Sequence, residues 1–260
     1  MNAFNLNTKM ADIIFTGVGE AFEPAQGNSS VLLRSTETTV LIDCGYAVPR
    51  GLFAMDLDPD LVDVIFLTHF HADHWFGLPP VLRRWVQEKR KKELWVAGQT
   101  GIEEKVKMLL ELGYPGMLAK STFSIQFIEI EQPWKFRELT LSTAPTKHSI
   151  RNLAVRIDGP GFTLGVSGDG ELTQASRDLF SNCTTLVHEA FFADKQADVP
   201  AHTCAKEVIE FCATLPAIRQ LALVHLHRKQ RATGLQRFTE LAQSVSFPVI
   251  VPSTGQLLKL

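Results

Sequence analysis

One short stretch, Leu67-Thr68-His69-Phe70-His71-Ala72-Asp73-His74, restricts what this chain can fold into more than any other. Three imidazoles and a carboxylate fall within six residues, directly behind the apolar run Val64-Ile65-Phe66-Leu67. Few structural roles require so much titratable nitrogen in one place. Extended backbone repeats its side-chain direction every two residues, so His69 and His71 can reach one ion from the same side of a strand end. Asp73 and His74 then serve a second ion. Imidazole and carboxylate without thiolate suit zinc, with manganese or iron as alternatives.

Around this stretch the chain reads as strands that end in polar residues. Ala11 to Thr16 is rich in β-formers and runs into Gly17-Val18-Gly19, whose spacing fits a turn between strands rather than a phosphate loop. Val31 to Arg34 and Thr39 to Ile42 follow, the latter delivering Asp43, either a turn former or a carboxylate that orients the metal loop. Leu78 to Lys92 has a helical apolar stripe (Val81, Leu82, Trp85, Val86), and its basic end from Lys89 to Lys92 fits a solvated helix C-terminus better than a nucleic-acid patch. Strand Leu94 to Ala97, a helix with Ile102, Val106, Leu109 and Leu110, and strands around Phe123 to Phe127 and Leu139 to Thr143 lead to His148. A hairpin around Gly159-Pro160-Gly161 delivers Asp169; Thr184 to Val187 leads to His188-Glu189; Leu221 to Val224 leads to His225. Helical stripes carry Val208, Ile209, Cys212 and Leu215, and later Leu235, Phe238 and Leu241. Two strand clusters, each followed by alternating helices and strands, favour two packed sheets with helices outside.

Of the eight histidines, His69, His71, His74, His148, His188, His225 and His227 lie at or near the C-terminal end of an expected strand, and only His202 does not. Strand ends of one layered sheet converge on one edge, where loops hold a site on a rigid scaffold. His225 ends its apolar strand directly and is preferred as a ligand to His227, which shares its side of an extended backbone. With 260 residues and 45% hydrophobic content, one domain over residues 1–260 is expected. A net charge of -2 gives no global pull toward nucleic acid or membrane. Four cysteines without C-x-x-C spacing suit a reducing compartment, and Met1 to Met10 lacks the pattern of a signal peptide. A cytoplasmic protein with no membrane span is expected.

The motif Thr68 to His74, followed by His148, Ser167-Gly168-Asp169 and His225, resembles the metallo-β-lactamase superfamily over nearly the whole chain. The resemblance implies an α/β fold, an αββα four-layer sandwich of two mixed β-sheets. It implies two Zn2+ ions, or Mn2+ or Fe2+, with His69, His71 and His148 at the first, Asp73, His74 and His225 at the second, and Asp169 bridging. Asn28-Ser29-Ser30, His148-Ser149-Ile150, His188-Glu189-Ala190-Phe191-Phe192 and Ala201-His202-Thr203 are similar to the ribonuclease Z-like branch, where the residue matching His202 is catalytic and Glu189 sits close by. The tRNA-processing members of that branch insert a long arm between the fourth and fifth ligands. Here His148 to Asp169 spans only a hairpin, as in arm-less phosphodiesterases of small cyclic phosphates.

The expected chemistry follows. A metal-bridging hydroxide attacks phosphorus, Asp73 and Glu189 assist, and His202 donates a proton to the leaving group, an effect of about 10²- to 10⁴-fold. Arg151, Arg228, Lys229 and Arg231 are either phosphate contacts or exposed loop cations. The expected partner is a small phosphodiester, with nucleic acid second; the family also suggests a homodimer. Carboxylic ester, lactone or thioester hydrolysis of the glyoxalase II type is the main enzymatic rival, with tRNA 3′ processing beside it. A flavodiiron-type centre is disfavoured by His71, where such sites carry Glu. A scaffolding subunit that binds nucleic acid through Arg83 to Lys92 is the non-enzymatic rival.

Overall fold

The structure, a computed structural model, describes residues 11–196 and 201–260; the expectation about Met1 to Met10 lies outside them. In chain order the first half contains β1 (Asp12–Gly17), β2 (Ser30–Arg34), β3 (Thr39–Ile42), α1 (Val48–Ala54), β4 (Val64–Phe66) and the single turn α2 (Ala72–Trp75). It continues with α3 (Leu78–Gln87), β5 (Leu94–Gly98), α4 (Ile102–Gly113) and β6 (Ile125–Glu129). The second half begins with β7 (Trp134–Phe136), β8 (Leu139–Pro145), β9 (Leu153–Gly159), β10 (Phe162–Val166), α5 (Gln174–Phe180) and β11 (Thr185–Glu189). It ends with α6 (Ala205–Ala213), β12 (Gln220–Val224), α7 (Arg228–Ala232), α8 (Gln236–Ala242), β13 (Val249–Ile250) and β14 (Leu257–Lys259).

These strands form two seven-stranded mixed sheets, ordered β14-β1-β2-β3-β4-β5-β6 and β13-β12-β11-β10-β9-β8-β7. A loop from Val18 to Ser29 joins β1 to β2 and a short turn joins β2 to β3, all antiparallel neighbours, whereas helical crossovers make β3 through β6 parallel. The second sheet repeats this plan, antiparallel from β7 to β10 and parallel from β10 to β13. Strands buried on both faces are apolar almost throughout, which is why β3, β4 and β12 carry the runs Val40-Leu41-Ile42, Val64-Ile65-Phe66 and Leu221-Ala222-Leu223-Val224.

Ile13, Phe15, Val40, Ile42 and Phe66 from one sheet meet Leu141, Val155, Ile157, Leu164 and Val224 from the other in the central core. A second core lies between the first sheet and α1, α3 and α4. A third packs α5, α6 and α8 onto the second sheet. The result is the αββα four-layer sandwich that the sequence led us to expect.

The basic run departs from expectation. Helix α3 stops at Gln87, Lys89 takes a positive φ of 60°, and Arg90 is fully buried. Its guanidinium donates to the carbonyls of Pro59 (2.5 Å), Val62 (2.6 Å) and Glu93 (3.1 Å) and lies over the rings of Trp85 and Phe123. Lys92 Nζ pairs with Asp63 at 2.7 Å. The run ties the starts of β4 and β5 together, at the sheet edge opposite the histidines. The Gly17-Val18-Gly19 segment is likewise internal: Val18 and Gly19 donate their N–H groups to Gln26 and Gly27 carbonyls, leaving neither free for a phosphate.

Candidate metal centre

The C-terminal ends of β3, β4 and β12 open on one edge. Two main-chain bonds join the halves there: Leu153 N donates to Thr68 O (3.0 Å), and His225 N donates to Val18 O (2.9 Å). Asp43 follows β3 with φ 61°, a conformation that Asp tolerates better than most residues. Its carboxylate accepts from Thr68 N (2.8 Å), Thr68 Oγ1 (2.8 Å) and His74 Nδ1 (2.7 Å), so it is both turn former and orienting group. Asp169 sits between Gly168 (φ 60°) and Gly170 (φ 110°); a Cβ at the first would run into Asn152, and one at the second into Thr146.

Two pockets of donors result. His69, His71, His148 and Asp169 offer atoms that all lie within 4.8 Å of one another, and so do Asp73, His74, Asp169 and His225. In the second group His74 Nε2 is 3.4 Å from both Asp73 and Asp169, and His225 Nε2 is 3.5 Å and 3.3 Å from the same carboxylates. Four donors held at about 2.1 Å by one tetrahedral cation stand about 3.4 Å apart. In the first group His71 Nδ1 is 3.0 Å from His69 Nε2 and 3.1 Å from His148 Nε2, while Asp169 is 3.8 Å and 3.9 Å from those Nε2 atoms. Three ring nitrogens converging this closely beside a carboxylate make a donor set suited to a divalent cation.

The unpaired atoms agree. His74 Nε2, His225 Nε2 and Asp169 Oδ1 are buried and have no hydrogen-bond partner among the described residues. The donors thus fit two divalent cations, with Asp169 common to both groups. Outer bonds aim the rings: Asp43 holds His74 Nδ1, and Ala201 O accepts from His148 Nδ1 at 2.9 Å. Burial, reinforced by neighbouring imidazoles, keeps His69, His71 and His148 below the usual histidine range, as a cation ligand requires. Burial also disfavours charge on His74 and His225, but the carboxylates around them outweigh it and raise both, His225 to about 9.

Beside these groups Glu189 and His202 form a third cluster with His225. Glu189 is fully buried at the end of β11, and its Oε1 accepts from Gly170 N (2.5 Å). Its Oε2 lies 2.6 Å from His202 Nδ1 and 3.6 Å from His225 Nδ1. Burial opposes charge on His202, but the Glu189 carboxylate outweighs it and raises the imidazole pKa.

Every residue singled out as ligand or catalytic group therefore lies at this edge. His227 belongs to none of the three groups; its Nδ1 accepts from Lys229 N (3.2 Å) at the start of α7. His188 is buried beneath the site, donating Nδ1–H to Glu189 O (2.8 Å). Arg228 is engaged by Glu20 at 2.6 Å. Two contributors escaped sequence reading. Asn152, fully buried, accepts from Asp169 N and donates to Ser167 O; a lone Asn after a histidine loop carries no signal for that. Phe191, read only as part of a motif, stacks on His202.

Known proteins share this architecture. Residues 11–245 match the family described as anti-Pycsar protein Apyc1. Ribonuclease Z of Methanosarcina mazei is 26% identical over 268 aligned residues, covering 84% of this chain and 88% of the relative. The Methanothermobacter thermautotrophicus enzyme of that name is 24% identical, covering 92% and 93%. The metallo-beta-lactamase fold protein YhfI of Bacillus subtilis superposes with a TM-score of 0.80 at 21% identity, over 97% of this chain and 100% of its own. The short form of human tRNase Z gives 0.77 at 21% identity, over 95% and 98%.

Proposed function

The chain belongs to the family of the anti-Pycsar protein Apyc1, within the ribonuclease Z-like branch of the metallo-β-lactamase superfamily, and on that premise we propose that it hydrolyses a small or cyclic phosphodiester. It is a metal-dependent hydrolase of this fold; the substrate and the roles of individual residues are the proposal. His69, His71 and His148 would hold one cation and Asp73, His74 and His225 the other, with Asp169 belonging to both donor groups and zinc the first choice for an imidazole and carboxylate set. Divalent cations so held supply Lewis acidity toward a phosphoryl oxygen and lower the pKa of water from about 15.7 to about 7.

The chain's own residues do the rest. As the oxygen of water bonds to phosphorus, the bond from phosphorus to the leaving oxygen breaks. His202, its Nδ1 engaged by Glu189, gives that oxygen a proton from Nε2, the attacking water releases a proton to solvent from which His202 is reprotonated, and a phosphomonoester and an alcohol result. The Glu189–His202 bond of 2.6 Å beside the ligand groups carries the proposal. A thiolate departs readily without a proton, whereas a sugar alkoxide does not, so a held acid favours phosphodiesters over thioesters.

The ribonuclease Z relatives support a second reading, cleavage of a tRNA precursor. The connection from His148 to Asp169, only the β9–β10 hairpin, favours the small substrate. Zinc-loaded protein assayed on 3′,5′-cyclic nucleotides, a thioester and a tRNA precursor tests the choice. Cyclic nucleotide turnover should dominate; thioester turnover alone would reverse it. Asp169→Ala should lose bound metal and turnover together, whereas His202→Ala should keep the metal and lose about 10²-fold or more of cyclic nucleotide turnover.

A further inference from the structure

The Glu189 bond fixes one atom of the His202 ring and leaves the ring free to swing about that atom. A proton donor needs its plane fixed as well, since its Nε2–H must point at the departing oxygen. Phe191 supplies that restraint. Its ring stacks on His202 with centroids 4.4 Å apart and planes 16° from parallel. The main chain of Phe191 is itself clamped, its N–H donating to Thr203 O (3.0 Å) and its carbonyl accepting from His227 N (2.9 Å). His227 also packs edge-on against the Phe191 ring at 5.1 Å. His202 also meets His225, near-parallel at 5.6 Å, and His148, edge-on at 5.1 Å.

We propose that Phe191 is a positioning residue for leaving-group protonation: its ring sets the plane of His202 and so aims Nε2. The proposal rests on the phosphodiesterase reading and the donor role of His202. It makes the effect of Phe191 depend on the leaving group, because a p-nitrophenolate leaves without a proton and a sugar alkoxide does not. Ordinary damage to the fold affects both substrates alike.

Phe191→Leu should keep its full complement of bound zinc, lower kcat on a 3′,5′-cyclic nucleotide about tenfold, and change kcat on bis-p-nitrophenyl phosphate less than twofold, with KM unchanged for both. Phe191→Tyr, which keeps the ring, should restore cyclic nucleotide turnover. Adding Phe191→Leu to His202→Ala should cost nothing further, since the residue it aims is gone. Equal losses on both substrates, or additive losses in the double variant, would overturn the inference. The carbon–proton NMR signal of the His202 ring, sharp in the parent, should broaden in Phe191→Leu; an unchanged signal overturns it whatever the substrate. The two ideas fail separately: His202→Ala with undiminished cyclic nucleotide turnover sinks the donor role, whereas a leaving-group-dependent loss in His202→Ala without one in Phe191→Leu sinks only the role of Phe191.

Discussion

Asp43 spends one carboxylate on three hydrogen bonds, two to Thr68 and one to His74. Removing it frees the His74 ring while touching no atom of the two donor pockets. Asp43→Ala should therefore weaken metal retention about 10- to 100-fold, read by competition with a chelator. His188 supplies a different test. Burial holds its pKa down to about 4, so in the folded chain it stays neutral while the unfolded chain takes a proton below about 6.5. That neutral-state stability is complete above pH 6.5 and is lost as pH falls toward 4, by about 3 kcal/mol in all. Urea unfolding of parent and His188→Phe across that window should show the parent losing stability more steeply. At this scale the sequence revealed residue types and spacing well, because two-residue periodicity governs which side chains share a direction. It was silent on ring rotation: His71 turns Nδ1 inward while His69 and His148 turn Nε2, and no pattern in the chain encodes those torsions.

Among the elements, the segment after α3 departs furthest from its sequence reading. Lys89 to Lys92 looks like a solvated helix end because composition records charge and not what the charge meets. The loop from Pro59 to Val62 turns its carbonyls toward Arg90, and burial follows. Arg90→Met keeps the bulk but abandons three acceptors, and should cost about 2–4 kcal/mol in urea unfolding while leaving metal content unchanged. Long periodic elements such as α4 and the apolar strands were legible. The segments β7, β13, β14 and α7 were not: two to five residues are too few to display a period, and their conformation comes from pairing and packing with distant segments.

Over the whole molecule, the donor pockets concentrate buried carboxylates and imidazoles that only a cation satisfies fully. Zinc at about a hundred times its Kd should add about 2.7 kcal/mol per site. Thermal unfolding with zinc, compared with excess chelator, should therefore differ by several degrees; coincident midpoints would mean that the pockets take no ion. The αββα layering was legible because strand clusters alternate with helices twice over. That the two sheets would meet with their strand ends on one edge was less so, since it depends on the Leu153–Thr68 and His225–Val18 bonds across the halves.

That division of the ligands between halves also orders events in time. A chain made from its N-terminus presents His69 to His74 early, but Asp169, common to both donor groups, is roughly a hundred residues further on. At about 5–20 residues per second the ribosome reaches it about 5–20 s later. Until then neither group is complete, and the second waits longer still, for His225. The nascent first sheet thus passes through a cell's free metal with only part of a grip, and the full grip closes when the second sheet arrives.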